Sequence, residues 1–184
     1  HMRFQIEAMQ RLVVQLGKLS RVERKGGRMD RRVEPAQILR AVCAEHSAAI
    51  EAAGAEISSD LPETVSADPL QLFEVLYQLF DNALRYRRPE AACRMEVRVD
   101  AGDDAWLWCV RDQGLGIPPA ALEEVFAPAR RFVSPQTHPL GAGLGLTICQ
   151  RIIERHGGQI RAESTGEAGT TIAFSLPRRD HSLG

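Results

Sequence analysis

The chain has no excess of charge of either sign. Its 23 Lys and Arg stand against 24 Asp and Glu, for a formal net charge of −1. A sequence this balanced, with a pI near 6.6, offers no electrostatic footprint for nucleic acid or an anionic membrane. Its four cysteines (Cys43, Cys93, Cys109 and Cys149) are far apart and form no C-x-x-C pair or zinc spacing. Three of them sit in apolar periodic segments, so they read as small buried hydrophobes of a protein kept in a reducing, cytoplasmic compartment. No apolar run approaches the roughly 20 residues of a membrane span, and no signal-peptide pattern or internal repeat is present. What remains is ordinary for a globular protein: 184 residues, 44% apolar and 26% charged. That suits one domain plus an appendage.

The opening His1-Met2 reads as a cloning remnant, so a piece of a larger protein is expected. Residues 3–26 are expected to be helical, with Ile6, Met9, Val13 and Leu16 forming a short coiled-coil seam that Leu12 and Leu19 widen. The same stripe also fits a plain amphipathic helix docking on its own domain. Gly26-Gly27 stops it, and 27–34 reads as a linker. A second helix is expected from Pro35 to Gly54, then a short extended piece over Leu61–Val65. Asp68-Pro69-Leu70-Gln71 supplies an N-cap, a proline at the first helical position and a capping-box glutamine for a third helix ending before Pro89.

Two period-two runs follow, one carrying Met95, Val97 and Val99, the other Trp106, Trp108 and Val110, with AGDD as the turn between them. Residues 112–145 are rich in Gly and Pro, with one short helix around Ala120–Phe126. A loop of that length in a compact domain is usually functional. A helix over Leu146–His156 closes at Gly157-Gly158, and two strands follow, Gln159–Ser164 and Thr170–Leu176, before a tail from 179. This order predicts an α+β fold: a two-layer sandwich with a mixed, mainly antiparallel sheet, helices on one face, and a preceding N-terminal helix.

Three segments carry chemistry. At about 100° per residue, Leu72, Leu76, Leu79, Phe80 and Ala83 form the core arc of the third helix. Glu74, Gln78, Asp81 and Arg85 form its wet arc, and Asn82 and Tyr86 fall on the seam. An amide on a seam is partly desolvated and needs partners. A neighbouring loop would satisfy it as well as a ligand. The second segment is RDQGLGIPP, residues 111–119, where Gly114 and Gly116 after Asp112 let the backbone approach a ligand or turn. The rest of a calcium loop is missing. The third is LGAGLGL, residues 140–146, whose glycines before a helix expose free N–H groups to an anion such as phosphate. It lacks the G-K-[ST] of a P-loop and the spacing of a dinucleotide fingerprint. A flexible hinge would use the same glycines.

The order of these segments, read with DLPETVSADPLQLFEVLYQLFDNALRYR, VRDQGLGIP, VFAPARRF, GAGLGLTICQRIIERHGGQI and GTTIAFSLP, resembles the ATP-binding catalytic domain of sensor histidine kinases. That domain belongs to the superfamily that also holds DNA gyrase, the ninety-kilodalton heat-shock chaperone and MutL. The resemblance implies the Bergerat ATP-binding fold over 35–178 and, before it, the end of a dimerisation helix. It implies that Asn82 ligates Mg²⁺ on the ATP phosphates and that Arg85 approaches them, with Tyr86 near the base or ribose. Asp112 would accept from the adenine amino group, lined by Gly114, Gly116 and Ile117, with Thr170 or Thr171 nearby. Gly141, Gly143, Leu144 and Gly145 would frame the triphosphate. Residues 118–140 would be the ATP lid, with Phe126 and Arg131 at its aromatic and basic positions.

Two departures stand out. Gln78 occupies the position where hydrolysing members carry Glu, four residues before the metal-binding Asn. An amide takes no proton from water at neutral pH, so hydrolysis is disfavoured. Glu74 lies two turns before Asn82, too far to replace it. Ala129 stands where the lid has a second phenylalanine. His46, His138, His156 and His181 lack the flanking pattern of a phosphoacceptor, so that histidine is expected upstream or on a partner. The implied activity is phosphoryl transfer from Mg-ATP to that histidine within a homodimer, then to a response-regulator aspartate. A scaffolding pseudokinase and an anti-sigma-factor serine kinase remain alternatives.

Overall fold

Alternation decides the sheet. In the computed structural model, residues 31–128, 143–164 and 169–178 are described. The expected helix over 3–26, linker residues 27–30, Ala129, Arg131, Gly141 and the tail lie outside them. Strands β4 (Arg94–Ala101), β5 (Ala105–Asp112) and β7 (Thr170–Pro177) pair antiparallel. Met95, Val97, Val99, Trp108, Val110, Ile172, Phe174 and Leu176 are all buried on one face. Glu96, Arg98 and Arg111 are exposed on the other. A β-strand places neighbours on opposite faces, so a one-residue slip would bury the charges. The expected AGDD turn forms, with Gly102 N–H donating to Ala105 O at 2.8 Å.

The five-stranded sheet runs β2-β4-β5-β7-β6, with β2 (Glu56–Asp60) parallel to β4 and β6 (Ile160–Ser164) at the other edge. Two strands differ from expectation. The extended piece lies at Glu56–Asp60 rather than Leu61–Val65, because EISSD offers a single apolar residue and becomes a strand only through its ladder with β4. Residues Arg31–Val33, expected within the linker, form β1, which pairs antiparallel with β3 (Val65–Ala67).

The helices cover the apolar face. The expected helix over Pro35–Gly54 is two, α1 (Pro35–Glu45) and α2 (Ser47–Ala53), broken at His46. His46 is buried, its Nδ1 donating to Val42 O at 3.0 Å and its ring 4.4 Å from that of Tyr77. Helix α3 (Pro69–Arg85) begins as its cap predicts: Asp68 Oδ1 accepts from the N–H groups of Leu70 and Gln71 at 2.9 and 3.0 Å. The box is not reciprocated, since the Asp68 N–H donates to His156 Nε2 at 3.3 Å. Gln71 Oε1 is buried and has no partner among the described residues. The short helix expected around Ala120–Phe126 is a 3₁₀ turn at Pro119–Ala121 followed by turns.

Helix α4 (Gly145–Arg155) ends in a Schellman closure, with Gly157 N–H to Glu154 O at 2.9 Å and Gly158 N–H to Ile153 O at 3.0 Å. The four cysteines are free, and Cys93 and Cys149 are buried. Burial pushes all four thiols up, which fits their reading as small hydrophobes. Among the described residues no helix is long and apolar enough to cross a membrane. The α+β sandwich expected from the sequence is the observed fold.

Two glycines separate packing from backbone strain. A Cβ on Gly158 would fall 1.8 Å from Ser175 O, whereas one on Gly54, at φ +55°, meets nothing within 4 Å. Gly158→Ala is therefore expected to cost about 3 kcal/mol or more, and Gly54→Ala about 1 kcal/mol. Urea denaturation of the two variants measures the difference, and equal losses would contradict the close approach at Gly158.

Candidate functional site

On α3, Gln78 and Asn82 stand one turn apart and so share a side of the helix. Gln78 was expected on the wet arc, but it is buried, at 3% exposure. The cause is α4, whose first turn lies against this side. A Cβ on Gly145 would sit 2.8 Å from Gln78 Oε1 and 3.8 Å from both amide atoms of Asn82. Only a residue without a side chain lets the helix start come so near. Gln78 Nε2 donates to Glu74 Oε1 at 2.7 Å. An ionised carboxylate can only accept, so this bond turns the amide nitrogen toward Glu74 and leaves the carbonyl oxygen facing Gly145. Glu74, one turn from Gln78, thus reaches the site through it.

Arg85 lies on the same side. Its Nη2 pairs with Asp81 Oδ2 on the same helix. Its Nη1 is buried and has no partner among the described residues. A buried donor left unmade costs about 1–3 kcal/mol, a cost an anionic ligand would remove. The first turn of α4 adds further donors, because Leu144 at its N-cap supplies no side-chain cap. Gly143, at φ +68°, turns the chain into that helix, and Leu144 is buried.

The second group forms at the end of β5. Asp112 Oδ1 accepts from Gly114 N–H at 2.7 Å. A Cβ on Gly114 would lie 2.6 Å from Tyr86 O, and one on Gly169 would lie 2.0 Å from Asp112 O. Both glycines are required for the loop to close on itself. Gly116 takes φ +76°, and Ile117 after it is half-buried. Thr170 stands directly opposite Asp112 in the β5–β7 register, while Thr171 faces Arg111. Burial raises the Asp112 carboxyl above the usual range, and the backbone N–H groups of Gly114 and Thr170 lower it in part.

These two groups meet at the last turn of α3, where Leu115 N–H donates to Tyr86 O at 2.9 Å. Asn82, Arg85, Gln78 and Gly145 form one end of the site. Asp112, Gly114, Gly116 and Thr170 form the other. Gly169 and Thr147 were not anticipated from the sequence. The Thr147 hydroxyl donates to Phe126 O at 2.9 Å, anchoring the segment before residue 127 to α4. No spacing rule would have marked either one. Arg131 and Gly141 lie outside the described residues. Among the described residues no group of three or more His, Cys, Asp or Glu could hold a metal. The Asn82 side-chain carbonyl is an oxygen of the kind a hard cation takes.

Comparison with known proteins identifies the family. Residues 67–180 match the family described as histidine kinase-, DNA gyrase B-, and HSP90-like ATPase. The phytochrome-like protein Cph1 of Synechocystis is 37% identical over 128 residues, covering 70% of this chain and 17% of that protein. The sensor histidine kinase WalK of Bacillus subtilis is 32% identical over 180 residues, covering 95% of this chain and 29% of that protein. The structure of full-length ShkA in complex with AMPPNP superposes with a TM-score of 0.76 at 25% identity, covering 94% of this chain and 36% of that one. The chain thus spans less than a third of either curated relative.

The raised Asp112 carboxyl has a thermodynamic consequence. A folded-state pKa above the unfolded one gives stability that is fully present below the unfolded pKa and lost as pH rises through the folded one. At neutral pH the ionised Asp112 therefore costs stability. Asp112→Asn is expected to melt at or above the wild-type temperature at pH 7–8, and the advantage should shrink as pH falls through the carboxylate range. A variant less stable than wild type at pH 8, with the gap closing upward, would contradict the burial of that charge.

Proposed function

Since the chain belongs to the histidine kinase-, DNA gyrase B-, and HSP90-like ATPase family, we propose that it binds Mg-ATP between α3 and α4 and acts as the catalytic domain of a sensor histidine kinase. The carrying observation is that the uncapped first turn of α4 at Gly145 lies against the Asn82 amide, with Arg85 about one turn further along the same helix. Together they supply an oxygen ligand for a hard cation and several donors for an anion, which is what a metal-bound triphosphate requires.

In this reading Asn82 Oδ1 would hold the Mg²⁺, and Arg85 with the N–H groups of the first α4 turn would hold the phosphate oxygens. The metal would neutralise charge on the phosphates. Asp112 accepts from the adenine amino group, and Gly116, Ile117, Tyr86 and Thr170 line the base. Residues 35–178 form the nucleotide-binding unit.

Gln78 cannot serve as a general base. Its amide is buried and its nitrogen is committed to Glu74. With an amide rather than a carboxylate at position 78 to face water, ATP is kept for transfer. The γ-phosphoryl passes from ATP to an imidazole nitrogen of a histidine upstream or in trans, and ADP leaves. That phosphoryl then goes to a response-regulator aspartate. The parent is a homodimer whose catalytic domain works in the cytoplasm.

ATP affinity, measured by titration calorimetry, is expected to rise with Mg²⁺ in the wild type. In Asn82→Ala most of that increment should vanish, by at least about tenfold. No binding at millimolar nucleotide would sink the reading. Phosphohistidine should form when an intact dimerisation domain and labelled ATP are supplied. ATP binding without it would favour a scaffolding role.

A further inference from the structure

Arg88 lies beyond α3 and belongs to none of the motifs above. Its Nε donates to the carbonyl of Gly114 at 3.0 Å. The N–H of the same peptide unit, on Leu115, donates to Tyr86 O at 2.9 Å. The Gly114–Leu115 peptide is thus held at both of its polar ends by two residues just past the last turn of one helix. Gly114 permits this, since a Cβ there would be 2.6 Å from Tyr86 O and 2.8 Å from Asp112 Oδ1. On its other side Gly114 donates its own N–H to Asp112 Oδ1 at 2.7 Å.

The chain of contacts runs Arg88, Gly114 carbonyl, Gly114 N–H, Asp112 carboxylate. A peptide plane fixed at its C=O and N–H cannot rotate, so the preceding N–H can turn only about the φ and ψ of Gly114, and its own bond to Asp112 Oδ1 holds those. One oxygen of Asp112 is thereby fixed, which sets the direction in which the carboxylate presents its remaining acceptor capacity. A guanidinium suits the task, because its rigid planar fork donates to a carbonyl with little further loss of freedom.

We propose that Arg88 is a positioning residue for base selectivity: it clamps the Gly114–Leu115 peptide so that Asp112 discriminates a 6-amino purine from a 6-oxo purine. Arg88 touches no nucleotide in this scheme and acts through Gly114. Because the last turn of α3 also carries Asn82 and Arg85, the clamp ties the base end of the site to the phosphate end. The selectivity part rests on the nucleotide reading given above; the clamp itself does not.

Two measurements on the whole chain test it. In the first, amide hydrogen exchange is followed in ligand-free wild type and Arg88→Met, which keeps the aliphatic stem and removes the donors. The Leu115 and Gly114 amides should exchange roughly tenfold faster or more in the variant, with the β5–β7 ladder unchanged. Unchanged protection at Leu115, or uniform acceleration across the sheet, overturns the clamp. In the second, ADP and IDP affinities are compared in wild type, Arg88→Met, Asp112→Asn and the double variant. The wild type should prefer ADP, both single variants should lose about tenfold of that preference, and the double should lose no more than either. Equal loss of ADP and IDP in Arg88→Met overturns the positioning role while leaving the base assignment intact. A preference retained in Asp112→Asn overturns the base assignment, and the selectivity proposal with it.

Discussion

The start of one helix pressed against two amides of another is the contact on which the site depends. Helices α3 and α4 pack antiparallel and are tied near both ends. At one end His156 accepts the N–H of Asp68, the cap of α3. At the other, Gly145 lets the first turn of α4 approach Gln78 and Asn82. A histidine and a missing side chain thus fix the register of the pair. With the register set, the uncapped start of α4 lies beside Gln78 and Asn82. A slip by one turn would bury the same surface and scatter the site.

The site is also where the molecule departs from its most stable arrangement. Arg85 Nη1 is buried without a partner among the described residues, and burial holds the Asp112 carboxyl above its ordinary range. Charged residues on the open sheet face pair with neighbours, as Arg94 does with Glu56 and Arg161 with Glu163. Groups that would be happier solvated are expected where a ligand replaces the solvent. In the proposed reading the two costly groups sit at opposite ends of the site, one for phosphate and one for a base.

Much of this was legible from residue order, and the failures are instructive. The β4–β5 hairpin declared itself, because its alternation continues over both strands with a clear turn. Helix α3 did so through Asp68 and Pro69. Strands β1 and β2 did not, since RRV and EISSD carry no pattern of their own and are strands only through β3 and β4. The break at His46 was hidden because α1 and α2 continue the same apolar spacing. Gln78 was misplaced because a helical wheel knows one helix, and its burial comes from another.

Sequence by itself determined the two layers, the β4–β5 hairpin, the capped start of α3 and the residue types of the candidate site. Those follow from local rules, namely period two in the strands, caps on the helices and glycine before a helix start. Tertiary structure decided which of those residues meet. It buried Gln78 and turned its amide through Glu74, set Thr170 opposite Asp112, and brought Arg88 to the Gly114 carbonyl. These contacts join residues far apart in the chain, and they depend on the interhelical register and on backbone approaches a single missing Cβ allows. No local pattern encodes them, because each is a property of two surfaces at once.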